Sequence, residues 1–366
     1  MLRTRNTALR TAVLSATAVL LTACSMIDDD LSDCPTPEPE PKQEATLDYE
    51  LRLVTNMTTE VKTQLSAQTD LELAATLTEY LSDIFTDFAH DVDLSFYDTE
   101  GSYSRLHHDE HIMDGSEHSY TLYIPRRKYM HLAVANLAND PVVYLDNDEN
   151  CYDAVLRQVE GDTIDSHSTG IFTARQYMEM IEGVDQTFNV KLYMANCSAM
   201  LVVDPRGHDI SGMKVYTTGF ATAFHIADSV YEYKKPSPLI RTTRLAPDEN
   251  DCVGFCSVNF PSPEPDDEES GIRRNDNATR TVIETVEPFV AQPGDKALWE
   301  FRVYLPQPDG TITETILGIR EPLRAGQLKI VRVWLGANGQ VETNDQTVGV
   351  SVTLDWHPGG HYEPIL

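Results

Sequence analysis

The chain of 366 residues carries 58 acidic against 28 basic side chains, a formal net charge of −30. A surface of that sign repels phosphate backbones, which excludes nucleic-acid binding, and it suits a solvated extracellular face. The length fits two domains of ordinary size and is too great for one small sandwich.

Arg3, Arg5 and Arg10 form a basic head, Thr11 to Leu21 an apolar core, and Leu21-Thr22-Ala23-Cys24 its close. That order describes a secretory signal, with a core shorter than the roughly 20 apolar residues that span a bilayer. Leu, a small polar residue, Ala and Cys is also the pattern read by bacterial lipoprotein signal peptidase. Residues 1–23 are therefore expected to be removed, and Cys24 to carry acyl chains such as palmitate. Several chains hold a protein at a membrane where one is marginal.

Residues 24–45 read as an acidic, proline-rich spacer close to the membrane. Asp28, Asp29 and Asp30 come first, and alternating prolines from Pro35 to Pro41 favour extended polyproline II. Leu47, Tyr49, Leu51 and Leu53 alternate with polar residues, the pattern of a half-buried strand. Leu73, Leu77, Tyr80, Leu81, Ile84 and Phe88 recur at helical spacing, which predicts a helix from about Asp70 to His90 with Asp70 as its N-cap. Strand-like runs follow at 94–97, 120–124 and 130–137, and Thr173 to Ile181 is expected to form a second, shorter helix. From 188 onward short strands dominate, and Asp309-Gly310 and Asn338-Gly339 each sit between two of them as hairpin turns. The chain is therefore expected to be mainly β, with sandwich domains at 46–186 and 187–366. Pro261 to Arg280 reads as a loop within the second.

No constellation assembles a catalytic site. His107-His108-Asp109-Glu110-His111 holds metal-capable side chains, but Gly and Ser on both sides mark it as a polar loop, and the zinc-protease order is absent. Asp146 to Asn150 begins like a calcium loop and fails at its sixth and twelfth positions, Cys151 and Arg157. Asp165-Ser166-His167-Ser168 has the residue types of a hydrolase triad, but triads assemble from separate segments. Neither a metal nor a cofactor is expected. Cys252 and Cys256 are close enough in sequence to pair across a tight turn, although spacing alone does not fix connectivity.

Asp28-Asp29-Asp30-Leu31-Ser32-Asp33-Cys34-Pro35 after a lipidated Cys resembles the start of the fimbrium anchor subunits of type V pili. The close, Val348-Gly349-Val350-Ser351-Val352-Thr353-Leu354-Asp355-Trp356 with its Gly-rich tail, is similar to theirs too. The resemblance implies two transthyretin-like β-sandwich domains; the one or two helices read above fall on the first, and no enzymatic activity is expected. It further implies an outer-membrane lipoprotein, exposed at the cell surface, whose partners are fimbrial stalk subunits. Cys24 would be the lipid site, and Val348, Val350, Val352 and Leu354 would mark the strand exchanged with a neighbour. The proline-rich spacer departs from the family's short link. The competing class is a surface lipoprotein that binds glycan or another extracellular ligand.

Overall fold

The computed structural model describes residues 44–54, 71–86, 89–112, 119–138, 140–146, 148–181, 186–234, 236–246, 252–265, 290–292 and 295–355. The signal and all of the spacer but Glu44 and Ala45, which begin β1, lie outside these residues, as do Cys24, Cys34, Asp70, Phe88, Trp356 and most of the loop expected at 261–280. Among the described residues no helix is long and apolar enough to cross a membrane.

The chain opens with β1 (Glu44–Val54), helix α1 (Leu71–Ile84), β2 (Asp91–Asp98), β3 (Arg105–Ile112), β4 (Ser119–Pro125) and β5 (Lys128–Ala135). Short strands β6 (Val143–Asp146), β7 (Val155–Gln158) and β8 (Thr163–Ile164) precede β9 (Phe172–Glu179), β10 (Gln186–Met194) and β11 (Cys197–Asp204). Next come β12 (Lys214–Thr218), β13 (Ala223–His225), β14 (Val230–Glu232), β15 (Leu239–Arg241), β16 (Thr243–Leu245) and β17 (Val253–Asn259). The remainder is β18 (Val290–Gln292), β19 (Asp295–Lys296), β20 (Trp299–Pro306), β21 (Ile312–Ile319), β22 (Leu328–Leu335), β23 (Val341–Glu342) and β24 (Val348–Asp355).

These strands form a seven-stranded sheet, β3-β2-β5-β9-β10-β1-β4, and a five-stranded sheet, β16-β17-β11-β22-β23. A six-stranded sheet runs β24-β21-β20-β12-β15-β8, and a four-stranded one β14-β13-β7-β6. The fold is mainly β, built as a sandwich, as the strand pattern predicts. Helix α1 buries Leu73, Leu77, Leu81 and Ile84 and leaves Glu72 and Glu79 exposed. Each such aliphatic side chain contributes about 2 kcal/mol on burial. Glu72 in the first turn also favours the positive end of the helix dipole.

Strand β11 divides the interior. Its Ala199, Leu201 and Val203 join one core with Trp299, Phe301 and Val331. Met200 and Val202, on the opposite face by strand alternation, join a second core with the α1 leucines, Phe96, Phe172 and Leu192. Position 186 opens β10, and strands from either side of it share sheets, β7 with β13 and β8 with β15. The interior is thus stitched across that position.

Two local expectations are corrected. Thr173 to Ile181 is no helix: residues 172–179 are strand β9, paired with β5 over eight rungs from Ala135↔Phe172 to Lys128↔Glu179. Ala, Arg, Gln, Met and Glu are good helix formers, but Phe172, Ala174 and Met178 alternate into the core, and the neighbouring strand outweighs local propensity. The histidine-rich segment is no loop either. It is β3, the edge strand of the seven-stranded sheet, and the flanking Gly and Ser residues lie outside it. Both hairpin turns are where expected, with Gly310 at φ +85 between β20 and β21 and Gly339 at φ +72 between β22 and β23.

Candidate functional site

Strand β24 ends the six-stranded sheet. It pairs antiparallel with β21 over eight rungs, from Ile312↔Asp355 to Ile319↔Val348. Among the described residues its other edge joins no ladder, and β18 approaches both strands without pairing with either. Val348 is buried, and the half-buried Val350 packs on the larger core. Register sets Val352 and Leu354 opposite Thr315 and Thr313, both buried on the core side of β21. The strand is therefore paired within its own chain in this structure, with Val348 and Val350 against the core.

Other residues singled out in the sequence fall into two clusters. On β2 and β3, His108 Nε2 lies 2.8 Å from Asp93 Oδ2, and Arg105 pairs with Asp148 from the acidic loop. One donor atom from each of Asp93, His108 and Asp148 comes within 4.8 Å of the others. The Arg105 guanidinium already compensates Asp148, so the group forms a surface ion-pair network.

The second cluster surrounds a cavity of 430 Å³ beside α1. Helix α1 contributes Tyr80 and Ile84, the segment 165–168 a second wall, and residues 241–243 a third. Tyr80 Oη donates to Thr243 Oγ1 at 3.0 Å, and burial pushes its phenol up to about 12. Arg241 Nη1 donates to Asp165 Oδ1 at 2.8 Å, with both side chains largely exposed. The triad-like residues do not converge: Ser166 Oγ accepts from Val258 N at 2.7 Å, and Ser168 N donates to Asp140 at 3.0 Å. His167 is 1% exposed, and burial lowers its pKa to about 4, so the ring is neutral. Its Nε2 lies 2.7 Å from Gln158 Nε2. Nδ1 has no hydrogen-bond partner among the described residues, although it is buried.

No family model matches the sequence, and no curated protein matches it. Solved structures do align. The chain is similar to the fimbrial anchor protein Mfa2 of Porphyromonas gingivalis, at 9% identity and a TM-score of 0.45, covering 85% of this chain and 97% of that one. It is similar to a fimbrial assembly protein of Parabacteroides distasonis, at 12% identity and a TM-score of 0.39, covering 85% and 100%. A Bacteroides thetaiotaomicron protein with a provisional polysaccharide-binding name aligns at 9% identity and a TM-score of 0.47, covering 84% and 98%. At these identities and scores the likeness assigns no activity to this chain.

The disulfide suggested by spacing is absent: Cys252 and Cys256 are not bonded to each other. Residues 253–256 run extended in β17, so four steps separate the two Cα atoms by about 13 Å, far beyond the roughly 7 Å that a disulfide bridges. Cys256 is instead buried with its Sγ 3.3 Å from Ser198 Oγ. Sequence reasoning missed the cavity because its walls lie up to 163 positions apart, from Tyr80 to Thr243. The one legible signal was the cluster 165–168, read there as a failed triad.

Proposed function

We propose that this chain is a lipid-anchored surface subunit of a fimbria, tethered through Cys24 and joined to its neighbour by exchange of β24. The observation that supports the reading is the position of β24: the outermost strand of its sheet, paired along one edge only among the described residues, with Val348 and Val350 against the core. An edge strand satisfies its backbone groups on one side, and a strand from another chain can take its place in the ladder. No proline interrupts Val348 to Asp355, so every residue of the segment can donate to such a ladder. The acidic spacer and the Cys24 signal place the anchor at the opposite end of the chain, and the two-ended layout resembles the anchor subunits of type V pili. The role is structural and non-enzymatic, with stalk subunits and the outer membrane as partners.

A reversible staple tests the reading without burying charge. Ile316 and Ser351 face each other in the ladder, so Ile316→Cys with Ser351→Cys brings two thiols to cross-strand distance. The oxidised variant keeps its own fold and cannot release β24. Fimbriae are expected in the medium rather than on the cell, with retention restored by a mild reductant. Wild-type amounts of cell-bound fimbriae in the oxidised variant would rule the exchange out.

A further inference from the structure

We propose that the uncovered half of the seven-stranded sheet is a docking ledge for the acidic, proline-rich segment Pro35–Pro41 of a second copy of this chain. The inference is independent of strand exchange.

The ledge follows from how the sheets stack. Tyr97 of β2 and Met130, Leu132 and Val134 of β5 share a core with Leu156 and Phe224, so the four-stranded sheet covers this face over β2 and β5. The cover stops at β9, where Arg175 Nη1 donates to the carbonyl of Ala227. Beyond it the same face carries Tyr177 on β9 and Tyr193 on β10, 66% and 57% exposed. Tyr177 lies opposite Met130, and Tyr193 opposite Thr173, whose other neighbour is Val134. Their strand neighbours Met178 and Leu192 are buried on the opposite side, as alternation requires. Stacked sheets lie about 10 Å apart, so the cover stands as a wall beside this floor. A flat surface meets the wall first, and a linear chain fits along it.

The chemistry of the floor selects that chain. Lys191 pairs in register with Arg52, and Arg175 and Lys191 each stand two residues from the rung Thr173↔Tyr193. Three basic residues therefore fall on one row across β9, β10 and β1, a local exception in a protein of net charge −30. Lys191 is exposed and has no ion-pair partner among the described residues. Tyr177 and Tyr193 lie on either side of the row, four residues apart along the strands and one strand apart across them, about 14 Å in all. A ligand running along the strands meets ring, cation and ring. The matching sequence is proline, carboxylate and proline, and Pro35-Thr36-Pro37-Glu38-Pro39-Glu40-Pro41 supplies it. In polyproline II this segment spans about 19 Å, enough to cross both rings with Glu38 and Glu40 between its ends. Such segments dock on aromatic-lined grooves because they arrive already extended.

Reach assigns the segment to another copy. Glu38 stands six residues before Glu44, about 19 Å in polyproline II, whereas Arg52, the rung of Lys191, lies about 26 Å along β1 from Glu44. Glu38 of the same chain falls short of Lys191, and Glu38 of a second copy is under no such limit.

The test is cross-linking of the full-length mature protein in detergent, as an equal mixture of nitrogen-15-labelled and unlabelled copies. The reagent is a carbodiimide, which joins an amine directly to a carboxylate. Peptides linking Lys191 to Glu38 or Glu40 are expected in mixed-isotope form. Their yield is expected to fall at least fivefold in Tyr177→Ser with Tyr193→Ser, both exposed positions, with circular dichroism verifying the fold. Absence of the linked peptides from wild type overturns the proposal. So do linked peptides of a single isotope only, which report contact within one chain, or an unchanged yield in the folded variant.

Discussion

Glu300 gives the structure a pH dependence with a definite sign. It lies on β20, opposite Thr218 and Gly318 in its two neighbouring strands, and is 1% exposed. Burial pushes its carboxyl from 4.5 up to about 7; Arg302, with Nε 3.4 Å from Glu300 Oε2, opposes the shift, and Glu314 adds to it. A folded value above the unfolded one means that the native state holds the proton more tightly. The associated stability is fully present below pH 4.5 and is lost as the pH rises through about 7. The interval from 4.5 to about 7, at about 1.4 kcal/mol per pH unit, amounts to about 3 kcal/mol. Glu300→Gln keeps the shape and removes the charge. It is expected to match wild type near pH 4.5 and to exceed it by up to about 3 kcal/mol at pH 8. Urea unfolding of both proteins at pH 4.5, 6 and 8 reads the difference, and titrations common to both cancel. A difference that does not change with pH refutes the reasoning. A variant weaker than wild type at pH 8 does so too, because it shows the ion pair with Arg302 outweighing desolvation.

Gly219 sits at φ +95, where an added Cβ would lie 2.8 Å from the Trp299 Cα, so Gly219→Ala is expected to cost about 2 kcal/mol or more in urea unfolding. Gly207→Ala, at φ +86 with open space around it, isolates the backbone part of that cost and is expected to lose about half as much. Thiol labelling of the native protein should modify the half-exposed Cys252 before Cys151, Cys197 and Cys256, which are buried and react on unfolding; a Cys252–Cys256 disulfide in mapped peptides would contradict the strand geometry. Metabolic labelling with a palmitate analogue should mark wild type, while Cys24→Ala should appear unlabelled outside the membrane fraction; a labelled variant would refute lipidation at that position.

Much of the β architecture was legible because one-sided burial writes a period of two into the chain. The runs that became β10, β20, β21, β22 and β24 show it, and the two Gly turns show where the chain reverses. Helix α1 was legible from its leucine spacing, and its end at Ile84, with Phe85 and Thr86 already outside it, was not. β9 misled because its residues favour a helix in isolation and only β5 and β10 make it a strand. β3 misled because an edge strand can be polar on both faces, so its composition matches that of a loop. The edge position of β24 follows from pairing between distant segments, which spacing along one chain does not encode.

The ladder between β21 and β24 has a thermodynamic consequence. In the proposed exchange β24 leaves, β21 becomes the new edge, and Leu317 and Ile319, both fully buried, lose the strand beside them. Departure therefore creates a donor and a vacancy in one event, and replacement restores as many rungs as were broken. The enthalpies nearly cancel, so the resident strand holds its place through its high effective concentration, on the order of millimolar for a tethered segment. An incoming strand must offset that advantage by fitting the vacancy better. Once seated, it is held by the slow escape of an intruder rather than by a gain in the number of bonds.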